Sequence, residues 1–144
     1  MTTIEGRIQE RLCVVRLRVS APDGWSEDAP TEDISGGPTL ETMEMDAVVD
    51  TGAMVSAIPA SALERLGCPS FGAVAFQSVL GPHDQGNQVV GSYAASLAVP
   101  DLIEVKWLRV LGVNLDTALL GMDVLEHLVL EVDGPRGTFR LTRR

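Results

Sequence analysis

The sequence predicts a mostly β fold, made of short strands with two short helices. Two observations lead to this prediction. Along most of the chain, apolar and polar residues alternate with a period of two, which is typical of half-buried strands, and turn-forming residues separate these stretches. Helical character is confined to two short segments, and each of them follows an apolar strand that is broken by a glycine.

Length and composition indicate a single domain over residues 1–144. Hydrophobic residues make up 45% of the chain, which excludes a disordered protein and allows a sizeable core. No apolar run approaches the ~20 residues that span a bilayer, and the first residues lack the apolar segment of a secretory signal. The net charge of −9 argues against nucleic acid and anionic membranes as partners. We therefore expect a cytoplasmic protein.

Cysteine and histidine usage predicts neither disulfides nor a metal site. Cys13 and Cys68 lie far apart in apolar surroundings, where each is expected to be a small buried hydrophobe. His83 and His127 are isolated in the sequence, so no spacing of metal ligands is present. We expect no metal and no other cofactor.

The N-terminal part predicts strands on both sides of an acidic loop. Residues 3–9 and 12–19 are the first two strands, and alternate residues of the second share an apolar face. Residues 21–39 contain five acidic residues, no basic residue and several prolines and glycines, which predicts a mobile surface loop. Strand character returns at 40–46 and continues through Val49.

An extended piece, a helix and a long hairpin follow. Residues 53–58 predict a short extended segment, and Pro59 suits the first turn of a helix over 60–66. Gly67 is placed as the C-cap of that helix. Further strands are expected on both sides of a polar turn and after it, over residues 72–80, 88–99 and 103–113, with the turn at 81–87.

The C-terminal part predicts a second strand–glycine–helix unit and a final hairpin. Residues 117–121 form an apolar strand that ends on a glycine. Asp123 is expected to cap the helix that follows, with Glu126 three positions later as in a capping box. Residues 128–132 and 138–141 flank a turn rich in glycine and proline, which predicts a C-terminal hairpin.

The functional interpretation depends on Ala47–Ala53. Val48 and Val49 favour a buried strand, whereas a lone buried charge at Asp50 would be very costly. Gly52 allows a tight turn or the close approach of another chain. The stretch therefore indicates an aspartate held at the end of a strand where its ionisation can be controlled. The plainer interpretation is an Asx-type turn in which the carboxylate accepts backbone N–H bonds.

A second feature, beyond the hairpin, decides between these interpretations. Ala118-Leu119-Leu120-Gly121 precedes a short helix. Together with Asp50-Thr51-Gly52-Ala53, in this order and with a hairpin between them, it resembles the retroviral-type (retropepsin-like) aspartic proteases. The resemblance covers roughly residues 11–142. It implies a closed or half-barrel of short strands with a flap hairpin, whose active site forms only between two copies.

The resemblance also implies a role for individual residues. Asp50 would be the catalytic carboxylate. The loops around it would be supported by Thr51, Gly52, Ala53, Leu119, Leu120 and Gly121. The flap and its substrate contacts would come from Val79, Leu80, Gly81, Pro82, His83 and Gly86. For His83 taken alone, a solvated position in the turn is the simpler interpretation.

The chemistry of peptide hydrolysis requires a second carboxylate. In a pair that shares one proton, one carboxylate takes a proton from water and the other donates a proton to the carbonyl oxygen. Like charges about 3 Å apart cannot both ionise, which keeps that proton in place. The chain has no second Asp-(Ser/Thr)-Gly, since Asp116-Thr117-Ala118 lacks the glycine. The expected enzyme is therefore a homodimeric endopeptidase, with a peptide or protein as substrate.

Two departures from the viral pattern affect the expected dimer and flap. Viral members often carry an Asp after Asp-Thr-Gly-Ala and an Arg after the later glycine, whereas Met54 and Met122 stand at these positions here. This joint replacement suggests an apolar contact in place of an ion pair, which can be neutral or stabilising. The flap tip contains Pro82 and fewer glycines than the viral type, so we expect its opening to be more restricted.

Two other functions fit parts of the pattern. The fold could serve as a catalytically weak dimerisation or peptide-binding module, although a scaffold has no need of the intact Asp-Thr-Gly. Asp50 could instead be an aspartyl-phosphate nucleophile, but that chemistry needs Mg²⁺ ligands and a positive phosphate cradle. The chain offers a single lysine, Lys106, and no glycine-rich phosphate loop.

Overall fold

The computed structural model describes residues 1–22, 41–76 and 88–144. The two helices of this part are α1 (Ala60–Arg65) and α2 (Met122–Leu125). Its strands are β1 (Thr2–Gln9), β2 (Leu12–Ser20), β3 (Thr42–Val49), β4 (Ala57–Pro59), β5 (Ser70–Phe76), β6 (Gln88–Val99), β7 (Ile103–Val113), β8 (Ala118–Leu120), β9 (Val129–Asp133) and β10 (Thr138–Arg143). The predicted mostly β fold with two short helices is confirmed.

The strands of the described residues form one sheet that partly closes on itself. Their order is β5-β6-β7-β4-β8-β3-β2-β1-β10-β9, and β6 pairs additionally with β2. This extra pairing joins β6, β7, β4, β8, β3 and β2 into a ring, so the expected barrel closure is present. Most neighbours are antiparallel, whereas β3 pairs with β8 and β4 pairs with β7 in parallel. The strands β1, β10 and β9 extend the sheet beyond the ring.

Period-two alternation explains how the ring is filled. On β2, Val15, Leu17 and Val19 are buried, while Arg16 and Arg18 between them are exposed. The two arginines face the neighbouring strand β3, where their guanidinium nitrogens lie 3.3 Å from carboxylate oxygens of Asp46 and Glu44, respectively. These exposed pairs stabilise the fold weakly. The buried side chains of β2 join a continuous apolar core with those of β3, β6, β7 and β8.

Helix α1 ends in a glycine-containing turn, as the sequence predicts, although its last residue is Arg65 and its C-cap is not Gly67. Leu66 is its C-cap residue, and Gly67 follows with a φ of 69°, in the left-handed region. The N–H of Gly67 donates to Glu64 O at 3.1 Å, and the N–H of Cys68 donates to Leu63 O at 3.0 Å. These two bonds form a Schellman motif, which satisfies the last carbonyls of the helix.

The structure corrects three local predictions. Residues 53–58 are extended only from Ala57 onward, because the segment before it turns to contact α2. Asp123 does not cap α2: the N-cap is Gly121, no side chain caps the helix, and the Asp123 carboxylate bonds to Ser56 instead. The predicted acidic loop starts too early, since Ala21 and Pro22 are buried in the core.

Other predictions fall on residues outside the described part. The remainder of the acidic loop and the flap tip belong to this group. So do the six predicted flap residues, Val79, Leu80, Gly81, Pro82, His83 and Gly86. Both cysteines lie within the described residues and are free, with Cys68 buried and Cys13 half-buried. No helix in the described ranges is long and apolar enough to span a bilayer.

Candidate active site

Asp50 lies where two parallel strands end together. β3 and β8 pair through Val48 with Leu119 and through Val49 with Leu120. The N–H of Asp50 then donates to Leu120 O at 2.9 Å, which continues this pairing by one residue. The side chain is thereby delivered to the end of the ring, where Asp50 is half-buried. The apolar strand fixes the backbone, and the carboxylate follows directly after its last residue, Val49.

A tight turn fixes the orientation of the Asp50 carboxylate. The N–H of Gly52 donates to Asp50 Oδ1 at 2.9 Å, and the N–H of Ala53 donates to Asp50 O at 3.2 Å. This is the Asx-type geometry that the plainer interpretation of the sequence predicts. It is compatible with chemistry, because a charge-assisted bond to a backbone N–H holds a carboxylate in a defined direction. Thr51 and Gly52 are exposed at the tip of this turn.

The segment after the turn packs directly against Gly121. A Cβ atom at Gly121 would lie 2.8 Å from the carbonyl carbon of Val55 and 2.9 Å from Ala53 O. The N–H of Met122 donates to Ala53 O at 2.8 Å, so the start of α2 is bonded to the same segment. Glycine is required at position 121 because backbone atoms occupy the space of a side chain. The structure thus brings together the two glycine-bearing elements that the sequence singled out.

A buried hydrogen-bond cluster, formed by Ser56, Gly121 and Asp123, ties these elements together. The Ser56 hydroxyl is fully buried and donates to Asp123 Oδ1 at 2.6 Å. The N–H of Ser56 donates to Asp123 Oδ2 at 2.9 Å, and the Ser56 Oγ accepts the N–H of Gly121 at 2.9 Å. Ser56 O accepts the N–H of Leu111 at 3.1 Å, so no polar atom of Ser56 is without a partner, as burial requires.

Sequence reasoning missed this cluster. Asp123 was assigned to the helix N-terminus, because aspartate commonly caps helices. The available signal was Ser56, a hydroxyl within an otherwise apolar stretch, which needs a partner if it is buried. That partner lies 67 residues away in the chain, and no local pattern identifies it.

The other predicted support residues lie near Asp50 with different degrees of exposure. Leu120 is fully buried, Leu119 is half-buried, and Ala53 is half-buried. Beside them the single chain exposes apolar side chains: Met54 is 83% exposed, and Val55 and Met122 are exposed as well. Apolar exposure next to a carboxylate is typical of a surface that a ligand or a partner covers.

Comparison with protein-family models identifies the family of this chain. Residues 39–127, more than half of the chain, match the family model described as "gag-polyprotein putative aspartyl protease". No curated protein sequence matches this one with significance.

Among solved structures, the crystal structure of a retropepsin-like aspartic protease from Rickettsia conorii aligns with a TM-score of 0.59 at 17% identity. This alignment covers 96% of this chain and 89% of that protein, and it establishes the shared fold. EIAV protease, solved with the inhibitor HBY-793, aligns with a TM-score of 0.46 at 20% identity, over 58% of this chain and 75% of that one.

Proposed function

The chain belongs to the gag-polyprotein aspartyl protease family and has the retropepsin-like fold, and on this premise we propose that it is an aspartic endopeptidase. The active form is a homodimer in which Asp50 faces Asp50 of a second copy. The observation that carries the proposal is the position of this carboxylate, which Gly52 N–H holds at the end of β3, beside the second glycine-bearing element. The substrate is a peptide or protein, and the reaction needs no metal.

The reaction follows from two carboxyl groups that hold one proton. The ionised carboxylate removes a proton from a water molecule, whose oxygen bonds to the scissile carbonyl carbon, while the protonated carboxyl group donates its proton to the carbonyl oxygen. The resulting tetrahedral diol then transfers a proton to the amide nitrogen through the pair, and the C–N bond breaks. The products are a carboxylic acid and an amine, and the pair regains its single proton.

The two glycine-bearing elements hold different parts of the candidate site, and this supports the proposal. The turn at Gly52 orients one oxygen of Asp50, and the Ser56–Gly121–Asp123 cluster fixes the segment that follows. Such fixation matters because a misplacement of about 1 Å can cost 10²-fold in rate. Thr51 is exposed at the tip of the turn, which supports the contact with the second copy that we propose for it.

Asp50→Asn tests the catalytic assignment, and Asp116→Asn is the matched control. Both residues precede a threonine, but Asp116 is exposed and lacks the following glycine. Digestion of a diverse peptide pool at several pH values should give a bell-shaped acidic-to-neutral profile for the wild type. We expect Asp50→Asn to lose about 10²–10⁴-fold in rate, and Asp116→Asn to cleave like the wild type. Unchanged cleavage by Asp50→Asn would show that this carboxylate is not catalytic.

Mixing the two proteins tests whether the site is shared. In an equal mixture of wild type and Asp50→Asn, random pairing leaves about one quarter of the dimers with two carboxylates. Activity should therefore fall to about one quarter of the activity of the same total amount of wild-type protein, whereas independent single-chain sites would retain about half of it. A wild type that binds peptides without cleaving them would instead support the peptide-binding module.

A further inference from the structure

Each of the two strands that pair with β6 along its length, β5 and β7, contains a β-bulge. On β5, Phe71 and Gly72 together stand opposite a single residue of β6. On β7, Lys106 and Trp107 do the same. A bulge bends its strand and redirects the side chains at that point. The bulge on β7 explains why Lys106 and Trp107 are both exposed although they are consecutive in a strand.

The side chains at these bulges form an aromatic cluster with an arginine. The rings of Phe71 and Trp107 meet edge to face, with their centroids 6.0 Å apart. The guanidinium carbon of Arg109 lies over the Phe71 ring, 5.0 Å from its centroid. Arg109 Nε donates to the Oγ of the buried Ser92 at 2.9 Å. The ring and the hydroxyl together fix the orientation of the guanidinium. We call Phe71, Trp107 and Arg109 the outer cluster.

The outer cluster lies on the outside of the ring. Leu108 and Val110 of β7 belong to the apolar core or pack against it, so Arg109 between them faces outward. Phe71 and Trp107 are 44% and 55% exposed. Aromatic residues and arginine are the types that contribute most binding energy at protein interfaces. An exposed apolar surface of this composition is typical of a binding site.

The charges around the outer cluster determine which partner fits it. β5 and β6 carry no charged side chain, and β7 carries only Glu104, Lys106 and Arg109. Within the part of the chain that the structure describes, neither Lys106 nor Arg109 forms a salt bridge. This surface is therefore positive in a protein whose net charge is −9. A complementary partner brings a carboxylate.

We propose that the outer cluster binds an extended segment of another polypeptide, in which an acidic residue lies two positions from an apolar one. This spacing places both side chains on one face of an extended chain. The carboxylate accepts hydrogen bonds from the Nη nitrogens of Arg109, and Lys106 adds a second positive charge. The apolar side chain packs against Phe71 and Trp107. The inference goes beyond the proposed protease, because Asp50 lies where β3 and β8 end and has no part in this surface.

Peptide binding to the Asp50→Asn protein tests the proposal without cleavage. The probe is the fluorescein-labelled peptide Gly-Ser-Leu-Ser-Glu-Ser-Leu-Ser-Gly, compared with the same peptide carrying Gln in place of Glu. Fluorescence anisotropy should give a dissociation constant about tenfold lower for the Glu peptide, because only its carboxylate makes charge-assisted hydrogen bonds. Arg109→Gln should remove this preference. Arg136→Gln is the matched control, since Arg136 is an exposed arginine in the last hairpin, and it should keep the preference.

The emission of Trp107 gives a second readout. The chain has two tryptophans, so Trp25→Phe leaves Trp107 as the only one. The Glu peptide should shift this emission to shorter wavelength, because the bound apolar side chain removes water from the indole ring. Unchanged emission at saturating peptide would overturn the proposed site.

The peptide pair keeps the test decisive even if Arg109→Gln fails to fold, because it changes nothing in the protein. Equal binding of the Glu and Gln peptides, or no binding of either, refutes the inference. So does an Arg109→Gln protein that still prefers the Glu peptide. None of these results depends on cleavage, so the proposed protease is tested separately.

Discussion

At Gly121 there is no room for a side chain, because other parts of the site occupy the space that a Cβ atom would need. The atoms that a Cβ would meet belong to the backbone of the segment after Asp50, so they cannot move away as a flexible side chain would. Its importance was predicted from its place after Leu119-Leu120, and the structure supplies the physical reason. Asp50 was also recognisable from sequence, because a charge directly after a β-branched apolar run stands out locally.

Gly121→Ala should therefore destabilise the fold and lower activity together. We expect a loss of about 1–3 kcal/mol in the free energy of unfolding, the usual cost of overpacking, measured by urea denaturation. Gly134→Ala is the control, because a Cβ there meets no atom within 4 Å. A Gly121→Ala protein as stable as Gly134→Ala would contradict the close approach of the two elements.

Cys68 provides a residue-scale prediction on pH. Burial raises the pKa of its thiol to about 11 from 9.0. The folded protein therefore keeps this proton more tightly than the unfolded chain does. The resulting contribution to the free energy of unfolding is complete below pH 9 and is lost as the pH rises toward 11.

At pH 8 the native Cys68 thiol should resist alkylation by iodoacetamide until denaturant is added. Peptide mass spectrometry distinguishes it from the half-buried Cys13, and a Cys68→Ser variant identifies the signal. Equal labelling of both cysteines in the native protein would show that Cys68 is accessible.

At the scale of elements, the strands were predicted well, whereas the hydrogen bonds between distant segments were not. Apolar and polar residues alternate along consecutive positions of β2, so the boundaries of this strand can be predicted from the sequence. The Ser56–Gly121–Asp123 cluster joins two distant segments, and its chemistry competes with helix capping for the same aspartate. Local patterns cannot decide that competition, because it depends on which segments pack together.

Substitutions at Asp123 should show how much this cluster contributes to stability. Asp123→Ala leaves the buried Ser56 hydroxyl and N–H without their acceptor, and we expect a loss of about 1–3 kcal/mol in the free energy of unfolding. Asp123→Asn retains one acceptor oxygen and should cost less. Helix capping is no rival explanation for such a loss, since α2 has no side-chain cap. An Asp123→Ala protein as stable as the wild type would contradict the contribution of the cluster. Chemical denaturation of both variants measures the difference.

At the scale of the whole molecule, the ring depends on pairings that no local pattern contains. The contact of β6 with β2 closes it, and the parallel contact of β3 with β8 brings Asp50 beside Gly121. The family resemblance anticipated the closure, whereas alternation alone predicts strands without their neighbours. The second copy belongs to the same scale, because one chain holds one Asp-Thr-Gly.

Dilution should reveal this dependence on a second copy. Below the dimer dissociation constant, the dimer fraction falls with total concentration, so activity per chain should fall about tenfold for each tenfold dilution. Activity assays and analytical ultracentrifugation on the same dilution series should give the same midpoint. Activity per chain that stays constant while the protein dissociates would exclude a shared active site.

The pairing of β1 with β10 has a consequence for biosynthesis. Thr2 aligns with Arg143 and Ile4 with Leu141, so β1 leaves the ribosome more than 100 residues before this partner strand does. Such distant pairing slows folding and leaves β1 with only β2 as a native neighbour until β10 has been synthesised. Nascent chains arrested before residue 138 should therefore be digested readily by an added proteinase. Resistance to digestion should appear only once β9 and β10 have left the ribosome.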